Sequence, residues 1–99
     1  MQTANFIAFI KENDYAKRDS HNRRFGVSVK RKFGNAVKRN RLKRYCREFF
    51  RLNKEKFPNG TDVFVLPRKR LSGNFEGMKY ADIASELEEL FEGLDKTTK

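Results

Sequence analysis

The sequence predicts an α+β fold: a small β-sheet with two helices packed on it, in the order β-β-α-β-α. Three observations carry this. Runs at 5–10, 24–30 and 61–67 are short, aromatic or β-branched, and bounded by turn residues. Segments at 36–52 and 79–93 repeat their apolar residues at helical spacing. A chain of 99 residues with 37% apolar content can bury one modest core, and its ten Phe supply large area from few positions. We read a single domain over 1–95 with a frayed tail at 96–99.

The first strand, NFIAFI, places Phe6 and Phe9 three residues apart. They must therefore point to opposite faces, one into the core and the other toward the polar side. Residues 11–23 are polar, with Asn13-Asp14 and Asp19-Ser20 as turn signals, and read as a loop. In RFGVSVK, Phe25, Val27 and Val29 share one face, while Arg24, Ser28 and Lys30 share the other. Gly34-Asn35 ends that strand, with Asn35 as N-cap of the first helix. From Ala36 to Leu52, Leu42, Tyr45, Cys46 and Phe49 fall on one stripe, while Lys43, Arg44, Arg47 and Arg51 fall on the opposite one. Arg39 and Arg41 lie on the flanks. Pro58-Asn59-Gly60 is a turn, and TDVFVLP is apolar enough to be the central strand. Residues 68–78 read as a loop with a second basic cluster, Arg68-Lys69-Arg70. Tyr80, Ile83, Ala84, Leu87, Leu90, Phe91 and Leu94 mark the buried face of the last helix, with its acids outside.

Charge narrows the class of partner. The net charge is +10, yet residues 79–95 hold six acids against one base. One strongly positive surface and one acidic flank would steer and orient a polyanion. Nine of the chain's 23 basic residues lie between Lys30 and Arg47. Only Glu48 supplies an acid within the helix, so pairing along the helix cannot neutralise that face. A nucleic acid is the expected partner, gripped through phosphates with a steep dependence on salt. Asn40 could read a base edge or ribose, or could equally face the core and satisfy a loop carbonyl. A Phe exposed beside cations could stack an unpaired base, with core packing as the alternative for any one ring.

Other classes find no support. The lone Cys46 permits no disulfide within the chain, fits a reducing compartment and falls on the core stripe. No apolar run reaches membrane-spanning length, and MQTANFIAF is not a signal peptide, so a cytoplasmic protein is expected. His21 stands alone in a loop. No paired cysteines, Gly-rich phosphate loop or nucleophile elbow is present. The residues therefore assign neither a catalytic nor a metal-binding role to the protein. A DNA reader is disfavoured because no heptad seam follows Cys46 and the elements around the helix are strands.

At KRKFGNAVKRNRLKRYCREFF the pattern becomes specific. It resembles the signature of the bacterial ribonuclease P protein subunit, with Lys32, Gly34, Asn35, Ala36, Val37, Arg39, Asn40, Arg41, Lys43, Arg44, Arg47 and Phe49 matching in order and spacing. RFGVSVK, DVFVLPR and the final helix also fit, so the similarity covers nearly the whole chain. The resemblance implies a fold like domain 2 of ribosomal protein S5, with a left-handed β-α-β crossover through the basic helix. It implies a protein component of the tRNA-processing endoribonuclease, binding the catalytic RNA and the 5′ leader of precursor tRNA. Hydrolysis would belong to the RNA and its Mg²⁺. RNA binding would then fall to Lys32, Asn35, Arg39, Asn40, Arg41, Lys43, Arg44, Arg47 and Arg51. A cleft between the basic helix and the sheet, with Phe9, Ser28 and Lys30, would receive the leader. No DNA or membrane partner is expected. A small basic ribosomal protein is the alternative. Two departures stand out: the family's basic N-terminal helix has no counterpart ahead of the first strand, and Tyr45 replaces a more usual aliphatic residue.

Overall fold

The structure, a computed structural model, describes residues 1–12, 23–58 and 60–92. Its elements run β1 (Phe6–Glu12), β2 (Arg23–Val27), α1 (Ala36–Leu52), β3 (Thr61–Pro67), α2 (Lys69–Asn74) and α3 (Tyr80–Leu90). The sheet order is β1-β3-β2, so the most apolar strand is central, as expected. β1 pairs antiparallel with β3, and β2 pairs parallel with it. A parallel neighbour requires a crossover. α1 is that crossover.

Alternation along each strand divides the sheet into two faces. Phe6, Ala8, Val63 and Val65 are buried, and Phe25 and Val27 pack beside them. α1 and α3 cover this inner face with Leu42, Cys46, Phe49, Ile83, Leu87 and Leu90. Phe50 also joins the core, so the buried stripe of α1 is wider than the sequence pattern indicates, and Tyr45 sits half-buried at its rim. Seven of the ten Phe pack ring against ring, among them Phe25 stacked on Phe50 at 4.6 Å and Phe57 edge-on to Phe91 at 5.0 Å.

The helix boundaries of α1 follow from its caps. Asn35 is extended, and its side chain accepts a hydrogen bond from the Lys38 N–H at 2.9 Å. At the other end, the Asn53 side chain donates to the Phe49 carbonyl at 2.8 Å. Gly60, with φ of 74°, supplies the turn into β3.

Four local expectations need correction. β1 continues to Glu12, because Lys11 and Glu12 still find partners in Asp62 and Thr61. β2 stops at Val27, and the chain tightens into a 3₁₀ turn at Arg31–Phe33, leaving Ser28 bonded to the Val65 carbonyl at 3.1 Å. The segment after Pro67 is not all loop. It forms α2, held by buried Leu71 and by the Ser72 hydroxyl donating to the Phe33 carbonyl at 2.7 Å. α3 ends at Leu90, where Phe91 caps it. The loop signals at 13–22, His21, Asn59, Leu94 and the tail lie outside the described residues.

The acids of α3 do more than face solvent. Glu86 is half-buried and accepts from the Asn5 N–H at 2.9 Å, the Asn5 side-chain amide at 2.7 Å and the Thr3 hydroxyl. This clamp holds residues 1–5 in a tight hairpin against β1, where Gln2 bridges to Ile7. Asp82 instead accepts from the Lys79 N–H at 2.8 Å and caps α3.

Candidate nucleic-acid interface

The cations of α1 divide into two groups. Lys38, Arg39 and Arg41 turn back on the protein. The Lys38 ammonium donates to the Ser72 carbonyl at 2.7 Å and lies over the Phe33 ring at 5.2 Å. Arg39 Nε donates to the Gly34 carbonyl at 3.1 Å. The Arg41 guanidinium stacks over the Phe75 ring at 4.6 Å, with Nη2 3.5 Å from the Phe75 carbonyl. Its Nε is buried without a partner. Lys38 and Arg41 fasten α2 and the segment after it to the start of α1, while Arg39 ties α1 to the turn that precedes it.

The second group points out. Asn40, Arg44, Arg47 and Arg51 are exposed and recur at helical spacing, forming one ridge, with Lys43 half-buried at its edge. Asn40 is therefore a surface amide; the core-facing reading does not hold. Lys43, Arg44 and Arg47 have no acid within ion-pair distance among the described residues. Arg51 differs. Glu48 grips it through two bonds of 2.9 and 2.6 Å, and each holds the other charged: the carboxyl lies below its usual range, the guanidinium above. Lys54 continues the ridge into the following turn.

The ridge is rigid because its opposite face is core. Cys46 is fully buried there, and burial pushes its thiol up to about 12, so it is neutral and unreactive at ordinary pH.

A second surface lies on the sheet's outer face. Cross-strand register arranges it in rows: Lys11–Asp62–Arg24, then Phe9–Phe64–Gly26, then Ile7 with Leu66, with Ser28 just past the end of β2. Arg24 and Asp62 form a bidentate pair at 2.8 Å in the first row. Phe6 and Phe9 do point to opposite faces, with Phe6 buried and Phe9 59% exposed. Beyond the aliphatic row lies a groove of about 670 Å³, whose lining includes Ser28, Lys30, Lys32, Leu66, Arg68 and Lys69.

Phe9, Ser28 and Lys30, expected in a cleft between the basic helix and the sheet, do not line the space between α1 and the sheet. The space between α1 and the β2 side of the sheet, about 490 Å³, is lined instead by Phe25, Gly26, Val27, Arg47, Phe50, Arg51 and Lys54. Phe9, Ser28 and Lys30 share the outer face, and the groove is walled by the turn preceding α1 and by α2. Of the residues singled out for RNA, Asn35 is occupied as a cap, Arg39 and Arg41 face inward, and Lys32 lines the groove. Sequence reasoning missed Phe64, which reads as one more apolar residue of a central strand. The alternation of Phe64 and Leu66 with Val63 and Val65 was the available signal.

No group of three or more His, Cys, Asp or Glu side chains that could hold a metal ion exists among the described residues. Likewise, no described helix is long and apolar enough to cross a membrane.

Comparison with known proteins adds the family. The Ribonuclease P family model matches residues 1–95. A ribonuclease P protein component from Thermotoga sp. is 40% identical over 97 residues, covering 96% of this chain and 77% of the relative. One from Petrotoga mobilis is 50% identical over 72 residues, covering 73% of this chain and 61% of the relative. Among solved structures, the RNase P protein from Thermotoga maritima superposes with a TM-score of 0.78 at 40% identity, covering 91% of this chain and 77% of that one. The Staphylococcus aureus RNase P protein gives 0.75 at 30%, covering 93% and 76%.

Proposed function

The chain belongs to the ribonuclease P protein family, and on that premise we propose that its two surfaces divide the work of a protein subunit in tRNA 5′ maturation. The ridge of Asn40, Arg44 and Arg47 binds the catalytic RNA. The outer sheet face, with Phe9, Ser28 and Lys30, receives the single-stranded 5′ leader of precursor tRNA. The observation that carries this reading is the row of exposed cations without acidic partners on a helix whose other face is core. Such a row neutralises phosphates and releases counterions at little entropic cost, because the backbone is already fixed.

The chemistry of hydrolysis lies elsewhere. The described residues offer no metal-ligating cluster, and the exposed surface beside both candidate sites is cationic, which repels Mg²⁺. The described residues do not fit a resident ion on the protein. The proposed holder of Mg²⁺ is the RNA. The protein's contribution is electrostatic: it lowers the repulsion between two polyanions and docks the leader. The ribosomal alternative has no specific observation in its favour.

Reversing the ridge tests the reading. Arg44→Glu with Arg47→Glu should leave the fold intact and weaken assembly with the catalytic RNA on the order of a hundredfold or more at physiological salt. Cleavage of precursor tRNA at low Mg²⁺ should fall in step. Wild-type cleavage by that variant would refute the assignment.

A further inference from the structure

Phe9 and Phe64 are set apart from the other aromatic residues. Neither enters a ring pair among the described residues, and they are 59% and 52% exposed. They are direct cross-strand partners on β1 and β3, so their rings rise side by side from the outer face.

Phe64 also has a built seat. It pairs with Gly26 of β2, and a Cβ placed on Gly26 would lie 2.6 and 2.7 Å from Phe64 ring carbons. Any larger residue there would displace the ring. The missing side chain lets the phenyl group lie against the backbone of β2. At one end of this aromatic row, beyond Ile7 and Leu66, stand the cations Lys30, Lys32 and Arg68 of the groove.

We infer that Phe64, seated on Gly26, is a second base-stacking platform, and that Phe9 and Phe64 together take two neighbouring unpaired nucleotides of an RNA strand whose phosphates run toward Lys30, Lys32 and Arg68. This rests on the reading of the outer face as the leader site and adds its aromatic partner. Every base has a π-face, so the platform tolerates sequence; it distinguishes unpaired RNA from duplex, whose bases are already stacked.

The test separates stacking from phosphate contacts. Binding of the full chain to a short unstructured oligoribonucleotide is compared with binding to the same sugar-phosphate chain lacking bases. Stacking on one ring should favour the base-bearing strand by about 5- to 100-fold. In Phe64→Leu that preference should shrink, in Phe64→Tyr it should persist, and in Gly26→Ala it should shrink although Phe64 is retained. Ultraviolet crosslinking of wild-type protein to a uridine-containing strand should label Phe64, a readout that needs no variant. Preference lost in Phe9→Leu but unchanged in Phe64→Leu, with no crosslink at Phe64, overturns the inference and leaves the leader reading standing. Preference unchanged in both variants overturns the two together.

Discussion

The two faces of α1 have opposite relations to the rest of the molecule. On the inner side, Leu42, Cys46, Phe49 and Phe50 are buried and fixed by neighbours from the sheet and α3. On the outer side, Asn40, Arg44 and Arg47 are exposed and make no ion pair among the described residues. Between them, Lys38, Arg39 and Arg41 carry the same charge as the ridge but spend it on backbone carbonyls and aromatic rings. Charge alone therefore does not identify an RNA contact. The angle at which a side chain leaves the helix decides whether the cation serves the fold or the partner.

The sharpest break of this comparison is Phe49→Ala. It should cost about 3–5 kcal/mol of stability in urea or thermal unfolding, through lost burial and a residual cavity. That is a large share of a small domain's total. RNA binding measured on the fraction still folded should keep its salt dependence. The ridge reversal gives the mirror result, with stability kept and RNA binding lost. A Phe49 variant that changed the salt slope, or a ridge variant that melted early, would erase the division between the faces.

Cys46 tests the inner face by pH. Its thiol is raised from an ordinary value of 9.0 to about 12 by burial. A raised folded-state value means that the contribution is complete below 9 and is lost as pH rises, since the unfolded chain releases its proton first. Stability should therefore fall by about 1.4 kcal/mol per pH unit between roughly 9 and 12. Cys46→Ala should remove that component from the unfolding profile. An unchanged alkaline profile in the variant would show the thiol to be accessible to water.

Much of this division is legible in the sequence, for a physical reason. A helix has one period, so Leu42, Cys46 and Phe49 declare a buried stripe, and Asn35 declares its cap before any coordinates exist. The alternation of β1 likewise separates Phe6 from Phe9. What escaped was non-local. Arg39 and Arg41 turn inward because carbonyls at Gly34 and Phe75 happen to lie within reach. α2 forms because Leu71 and Ser72 find partners at the core and at Phe33. Phe64 faces outward because β3 is covered on one side only, whereas an apolar run reads as a strand buried on both. The hairpin held by Glu86 joins residues more than 80 positions apart.

Arg41 sharpens the boundary between the two cation groups. Arg41→Met removes the contact with Phe75 and the buried Nε that lacks a partner, so the loss in stability should be only about 1 kcal/mol. The salt slope of binding to the catalytic RNA should not change. A slope reduced by about one, with unaltered stability, would move Arg41 to the ridge.

The smallest effect concerns Arg51, which occupies the ridge by position but is held by Glu48. Glu48 lies below the usual carboxylate range because Arg51 donates to it, so the pair is fully charged at neutral pH and in effect withdraws one cation from the RNA. Glu48→Gln keeps the side chain's size and releases the guanidinium. Affinity for the catalytic RNA should then rise by about two- to threefold at low salt, with the gain disappearing as salt screens the exposed charges. Acidification should act in the same direction on the wild-type protein, since protonating Glu48 also frees Arg51, and the Gln variant should lack that response. If affinity in Glu48→Gln stays at the wild-type level, the RNA does not reach the last turn of α1, and the interface ends at Arg47.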